Sequence, residues 1–269
     1  MSTNQETGKK LRLLYAAEGG ARSIFSEKAT DYAVARPDYP AALFELLRKC
    51  RAPNQNVVVA DIGAGTGLLT EGLLKSGYQV VAVEPNAEMR QLSDSRFGKI
   101  VGYRSADGFA ESIPLEPASV DLITAAQAFH WFEVERARIE FLRVLKEQGQ
   151  VALIWNDRVL EDPLHVALDE VFSEFGGAKR SALVAHEDRP DVPRFFGATE
   201  PKQFSWPHEH HLEREGLLSL VFSRSYIPGR NSANAPQVAN RVSEIFNFFA
   251  TGETVKVQYR TVAFIGRPT

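Results

Sequence analysis

Three glycines at alternate positions, Gly63, Gly65 and Gly67, follow the apolar, β-branched run Val57-Val58-Val59-Ala60-Asp61-Ile62 and precede Leu68, Leu69, Leu73 and Leu74 at helical spacing. Strand therefore passes into helix through a turn where positive φ is free and a ligand can approach bare backbone. A dinucleotide site would read G-x-G-x-x-G, seating a pyrophosphate on the helix N-terminus. Here the third glycine comes one position early, and Asp61 stands beside the turn, where a carboxylate accepts hydrogen bonds from an ammonium group and repels phosphate. That chemistry suits a nucleotide carrying an amino acid. A second strand, Gln79-Val80-Val81-Ala82-Val83-Glu84, ends in an acid 84 − 61 = 23 positions after Asp61. Glu84 is thereby placed to grip two vicinal ribose hydroxyls.

Further segments join this turn: Val83-Glu84-Pro85-Asn86 with Met89, Ala110-Glu111-Ser112-Ile113-Pro114-Leu115, Ala126-Gln127-Ala128-Phe129-His130-Trp131-Phe132 and Arg143-Val144-Leu145-Lys146. With them the chain resembles the class I S-adenosylmethionine-dependent methyltransferases. Within these it is most similar to the small-molecule branch that includes ubiquinone/menaquinone-biosynthesis and trans-aconitate methyltransferase-like enzymes. The resemblance spans residues 25–157 and is looser beyond. It implies a Rossmann-like α/β fold: a seven-stranded, mostly parallel sheet with helices on both faces, its last strand antiparallel between its neighbours, plus a helical lid. It implies S-adenosyl-L-methionine as cofactor and methyl transfer to oxygen, nitrogen or carbon of a small-molecule acceptor, a carboxylate among the candidates. The alternative is a non-catalytic S-adenosylmethionine-binding module acting as a sensor or partner protein.

The resemblance also assigns roles. Asp61, Gly63, Gly65, Gly67, Glu84 and Pro85 form the cofactor cradle, and Met89 flanks the adenine or packs in the core. Relatives carry an adenine-binding Asp where this chain has Phe109, so either Asp107 replaces it or Phe109 stacks while backbone of Ala110 and Glu111 reads the adenine edge. The run Phe25 to Pro40 looks like the branch's N-terminal lid. There Arg36 would take the cofactor carboxylate, a guanidinium fork matching it bidentately, and Tyr32 would close over the sulfonium. Gln127 and His130 follow the fourth strand, where methyl and acceptor meet. His130 is the one residue there able to take a proton near neutral pH, as a base or as simple packing. Ser223-Arg224-Ser225-Tyr226 resembles another recurring segment, and an Arg above the methyl would suit a carboxylate acceptor; Arg158 is a second lid candidate. An Asn-Pro-Pro-Tyr-like run is missing, which removes the usual machinery for methylating nucleic-acid amines.

The chain has 269 residues, 44% hydrophobic, and a net charge of −3. This length fits one methyltransferase domain with elaborations. The charge offers no basic surface for nucleic acid. Cys50 is the only cysteine, so no intrachain disulfide forms and a cytoplasmic setting fits. No apolar run is long enough for membrane insertion, and a monomer or homodimer is expected. His208, His210 and His211 lack a spaced third ligand and read as a polar edge, not a metal site.

Periodicity predicts strands near 56–61, 79–84, 100–104, 119–125, 150–156, 202–206 and 255–264, with helices near 40–50, 67–76, 86–94 and 133–145. The core then covers about 40–157 and 200–269. Segments 22–40, 158–200 and 212–250 form lid elements over the carboxyl ends of the strands, and residues 1 to about 20 read as a disordered tail.

Overall fold

The computed structural model describes residues 13–16, 23, 25–53, 57–185 and 189–269. In chain order the elements are α1 (Ala29–Ala35), α2 (Ala41–Cys50), β1 (Val58–Ile62), α3 (Leu68–Lys75), β2 (Gln79–Val83), α4 (Ala87–Phe97), β3 (Tyr103–Ala106) and β4 (Val120–Ala126). There follow a 3₁₀ turn (Phe129–Trp131), α5 (Val134–Val144), β5 (Leu145–Arg158), α6 (Pro163–Val184), α7 (Asp191–Phe196), β6 (Lys202–Leu212), α8 (Arg214–Phe222), α9 (Ala235–Phe249) and β7 (Val255–Gly266).

The seven strands form one sheet in the order β3-β2-β1-β4-β5-β7-β6. β7 lies between β5 and β6 and is antiparallel to both, as the resemblance implies. Strand alternation divides the core into two layers. Val59, Val80, Leu122, Ala152 and Ile154 meet Leu43, Leu47, Leu69 and Leu73 of α2 and α3. Their neighbours Ala60, Val81, Ile123, Val151 and Leu153 meet Phe141 of α5 and Phe195 of α7. Burial on both faces is why the central strands are continuously apolar. A third cluster joins α6, α8 and α9 through Leu168, Phe172, Leu217, Val238 and Val242, with Tyr259 of β7.

The elements depart from the sequence reading in four places. β6 continues past Trp206 to Leu212, paired with β7 throughout, Pro207 facing Arg260. Proline is tolerated because β6 is an edge strand whose missing N–H costs no ladder bond. β3 starts at Tyr103, because Val101, 99% exposed, sits in the turn closed by Gly102 at φ 94°. β5 begins at Leu145, entering the sheet through a register shift against Val120/Leu122. The tail expected over 1–20 lies outside the described residues except for a helical turn at 13–16, where Tyr15 is 1% exposed. Residues 22 and 24 of the N-terminal lid, 56 before β1 and 186–188 of the middle lid segment also lie outside the described residues. Among the described residues no helix is long and apolar enough to cross a membrane.

The glycine turn is held by packing as well as by conformation. Gly67, at φ 85°, caps α3, and a Cβ there would stand 2.5 Å from the Phe97 ring and 2.8 Å from Ser93 Oγ of α4. Gly67→Ala is therefore expected to lower unfolding stability by about 1–3 kcal/mol, read as a fall in the urea midpoint. An unchanged midpoint would contradict this close α3–α4 approach.

Candidate functional site

A cavity of about 440 Å³ opens at the carboxyl ends of β1, β2, β4 and β5, where ligands of open α/β sheets bind. Its floor is built by β1 and β2. Gly63 and Ala64 donate their N–H groups to Val83 O at 2.8 and 3.2 Å, and Gly65 donates to Glu84 Oε2 at 2.9 Å. Glu84 Oε1 accepts from Asn86 N at 2.9 Å. Both carboxylate oxygens thus bind backbone, and Glu84 is 7% exposed. Burial, the largest influence, pushes its pKa up to about 7.

The three glycines serve different ends. A Cβ on Gly63 (φ 69°) would meet Ala128 Cβ at 2.6 Å, so that residue lets the turn after β4 approach. On Gly65 (φ 59°) the nearest atoms would be Met89 Sδ at 3.7 Å and Tyr32 Cε1 at 3.9 Å, so that position opens to the cavity. Gly67 packs α3 on α4 and does not line the cavity.

Asp61 also departs from its expected place. It is 1% exposed and lies off the cavity wall. Its Oδ1 accepts from Thr124 Oγ1 at 2.8 Å and its Oδ2 from Thr70 Oγ1 at 2.7 Å, because parallel register sets Asp61 beside Thr124. The carboxylate seams β1, β4 and α3 together instead of facing a ligand. Burial raises its pKa to about 6.

The other expected site residues, Tyr32, Arg36, Gly63, Gly65, Glu84, Pro85, Met89, Ala110, Glu111, Gln127 and His130, all line the cavity. Met89 is 3% exposed, its N–H held by Asn86 Oδ1 at 2.9 Å. Phe109 is on the wall, whereas Asp107 is absent from it and stands 3.5 Å from Arg90. Glu111 Oε1 accepts from Glu133 N at 2.5 Å, and burial raises its pKa. Gln127 has φ 55°, a left-handed backbone that costs a side-chain-bearing residue about 1–2 kcal/mol. Its N–H is fixed to Ile154 O at 2.9 Å and its Nε2 donates to Asn156 O at 3.1 Å. His130 lies in the 3₁₀ turn, its ring 5.0 Å from that of Trp131.

Polar contacts tie the N-terminal segment across this edge. Arg36 donates to Ser223 Oγ at 2.9 Å and Ser223 O at 3.2 Å, with its guanidinium 4.9 Å from the Tyr32 ring. Asp31 receives Arg230 through both carboxylate oxygens. His208 meets Asp38 at 2.9 Å and His210 Nε2 lies 3.2 Å from Ala35 O, so these histidines anchor the segment as well as forming a polar edge. Among the described residues no group of three His, Cys, Asp or Glu could hold a metal.

Four arginines line the cavity, and they differ in their partners. Arg158 pairs with Asp169 at 2.9 Å, and Arg189 pairs with Asp157 while lying 4.7 Å from the Trp155 ring. Among the described residues neither Arg36 nor Arg224 has a carboxylate partner, and Arg224 Nε is buried without a hydrogen bond. Burial, and after it the Arg224 charge, holds the Arg36 pKa down to about 10. Sequence reasoning missed Asn156, Asp157 and Arg189. The first two belong to a polar triplet closing an apolar strand, the position where a ligand-facing residue is expected, whereas Arg189 bears no such mark.

Residues 60–153 match a family model described as a methyltransferase domain. An uncharacterized methyltransferase of Mycobacterium tuberculosis is 35% identical over 202 residues, covering 75% of this chain and 76% of that one. An uncharacterized methyltransferase of Schizosaccharomyces pombe is 39% identical over 204 residues, covering 76% and 79%. Among solved structures, a proposed type II methyltransferase from Anaeromyxobacter dehalogenans superposes with a TM-score of 0.67 at 23% identity, covering 87% of this chain and 99% of that one. That likeness is one of fold.

Hydroxyl donors bind an ionised carboxylate best, so a ribose on Glu84 should favour its charged form. Affinity for S-adenosylhomocysteine is expected to rise as pH passes upward through about 7 and to fall at least ~10-fold in Glu84→Ala. Calorimetry between pH 5.5 and 8.5 reads both. A flat profile with unchanged Glu84→Ala affinity would contradict the assignment.

Proposed function

The chain belongs to the class I S-adenosylmethionine-dependent methyltransferases, and from that premise we propose that it methylates a small-molecule acceptor whose carboxylate is held by Arg224. The cradle fits the cofactor on two counts: Gly65 presents bare backbone at φ 59° to the cavity, and a buried carboxylate, Glu84, lies on the floor beside it. Gly63, Gly65, Glu84, Pro85 and Met89 would hold the nucleoside, and Arg36 the amino-acid carboxylate.

The observation that carries the acceptor reading is the second cation. Arg224 is half-buried, its guanidinium 5.4 Å from the Phe172 ring and its Nε without a hydrogen bond. A cation partly withdrawn from water is favoured by an anion, and the cofactor brings a single carboxylate for Arg36 and Arg224 together. An acceptor anion is the remaining partner, and Arg224, with Ser225 and Tyr226 beside it, lies on the cavity wall. When bound, S-adenosylmethionine supplies a methyl on positive sulfur: an oxygen lone pair of the acceptor forms the new C–O bond while the carbon–sulfur bond breaks and its electron pair returns to sulfur, leaving a methyl ester and S-adenosylhomocysteine.

The protein's part is alignment and exclusion of water, and orienting two bound reactants accounts for about 7–11 kcal/mol of barrier in well-aligned systems. Phe25, Trp131 and Tyr226 give the acceptor end an aromatic wall. A carboxylate has no proton to lose, so this reaction needs no base. His130 would take a proton only from a phenol or amine acceptor.

The test offers carboxylic acids, phenols and amines with methyl-labelled cofactor. Methyl esters release volatile labelled methanol in base, whereas methyl ethers and amines do not. Base-volatile label from acids is expected, with Arg224→Gln raising the acid's KM at least ~10-fold and leaving S-adenosylhomocysteine affinity within about threefold. Label confined to base-stable products would overturn the carboxylate reading.

A further inference from the structure

Lys28 is a buried lysine, 8% exposed, that forms no ion pair among the described residues. Its ammonium donates to Phe222 O at 2.9 Å and to Ile227 O at 2.7 Å. Phe222 ends α8, where carbonyls lack helical partners. Ile227 closes the following turn by donating its N–H to Arg224 O at 3.1 Å. The two carbonyls therefore bracket Ser223–Tyr226, and Arg224, Ser225 and Tyr226 all face the cavity.

We propose that Lys28 is a positioning residue for the acceptor: by bridging Phe222 and Ile227 through its side-chain N–H donors, it fixes the arc that carries Arg224, Ser225 and Tyr226 into the cavity. Its meaning for catalysis rests on the reading of Arg224 given above, whereas the clamp itself is tested without any acceptor. Taking an ammonium out of water costs several kcal/mol, so this arrangement is a poor source of stability. What it supplies is geometry. The charge sits at the C-terminus of α8, where a cation is favoured by the helix dipole. Burial is the largest influence on Lys28 and lowers its pKa to about 8, with Arg36 and Lys179 of α6 acting in the same sense and Asp31 and Glu27 opposing them. Asp31 is itself engaged by Arg230.

The sign of the pH dependence follows. Opening of the arc returns Lys28 toward its ordinary value of 10.5, so above about 8 the open form holds more protons than the closed one. Opening therefore becomes harder as pH rises through this range.

Amide hydrogen exchange on the whole chain tests the clamp, reading Ser223, Arg224 and Ile227 after correction for intrinsic rates. Wild-type protection at these amides is expected to rise about tenfold between pH 7 and 9. Lys28→Met is expected to lose at least ~10-fold of it at pH 7, with no matching loss elsewhere and a melting temperature within a few degrees of wild type. Lys28→Arg should keep the protection and show a flat pH profile. Unchanged local protection in a folded Lys28→Met protein, or a loss spread evenly over the chain, would overturn the proposal. Should that variant not fold, Lys28→Gln is read at the same amides, and unchanged local protection there would overturn the proposal.

Discussion

One buried carboxylate joins the parts of this molecule that must stay together. Glu84 leaves the end of β2 and receives the N–H groups of Gly65 and Asn86, so the glycine turn after β1 and the start of α4 share one acceptor. Asn86 in turn caps α4 through Met89 N and reaches Ser26 of the N-terminal segment at 3.1 Å. The glycine turn, α4 and the N-terminal segment are thereby placed relative to one another by two side chains, Glu84 and Asn86. Desolvation keeps the proton affinity of Glu84 high in the free protein, which makes the same group responsive to hydroxyls that arrive with a ligand.

The opposite wall is arranged by charge. α1 and the residues flanking it send Lys28, Asp31 and Arg36 into the region of α8 and the loop that follows it. These contacts are polar and buried, and each must be satisfied on its own geometry because an unpaired member would cost more than the pair contributes. An N-terminal segment held this way docks in one register, which an apolar interface alone would not impose. Arg36 and Arg224 are the exceptions on this wall: cations lining the cavity that have no acid partner among the described residues.

Much of this was legible in the sequence. Continuous apolar β-branched runs alternating with helical leucines gave the order of elements, and the glycines with Glu84 marked the floor by residue type alone. Sequence alone does not show that Asp61 lies off the cavity wall, because its neighbours in space, Thr124 and Thr70, are set by sheet register and helix placement. The same holds for Gly67, whose crowding comes from Phe97 and Ser93 on another helix. β6 was cut short at Pro207, where local propensity breaks a strand but an edge position restores it. The contacts of Lys28 and Asp31 span nearly two hundred residues, and no local pattern encodes them. Tyr15 shows the same limit. Its hydroxyl reaches Ser225 at 3.0 Å and its ring lies 5.1 Å from Trp131, burial that a polar N-terminus did not announce.

In the proposed reading the cavity separates two anions, the cofactor's on Arg36 and the acceptor's on Arg224, above a floor set by Glu84. A crystal structure of the S-adenosylhomocysteine complex is the decisive measurement. The ribose hydroxyls are expected on Glu84, the amino-acid carboxylate on Arg36, and the Arg224 guanidinium still facing open cavity. A complex in which Arg224 takes the cofactor carboxylate, or in which the ribose lies away from Glu84, would contradict it.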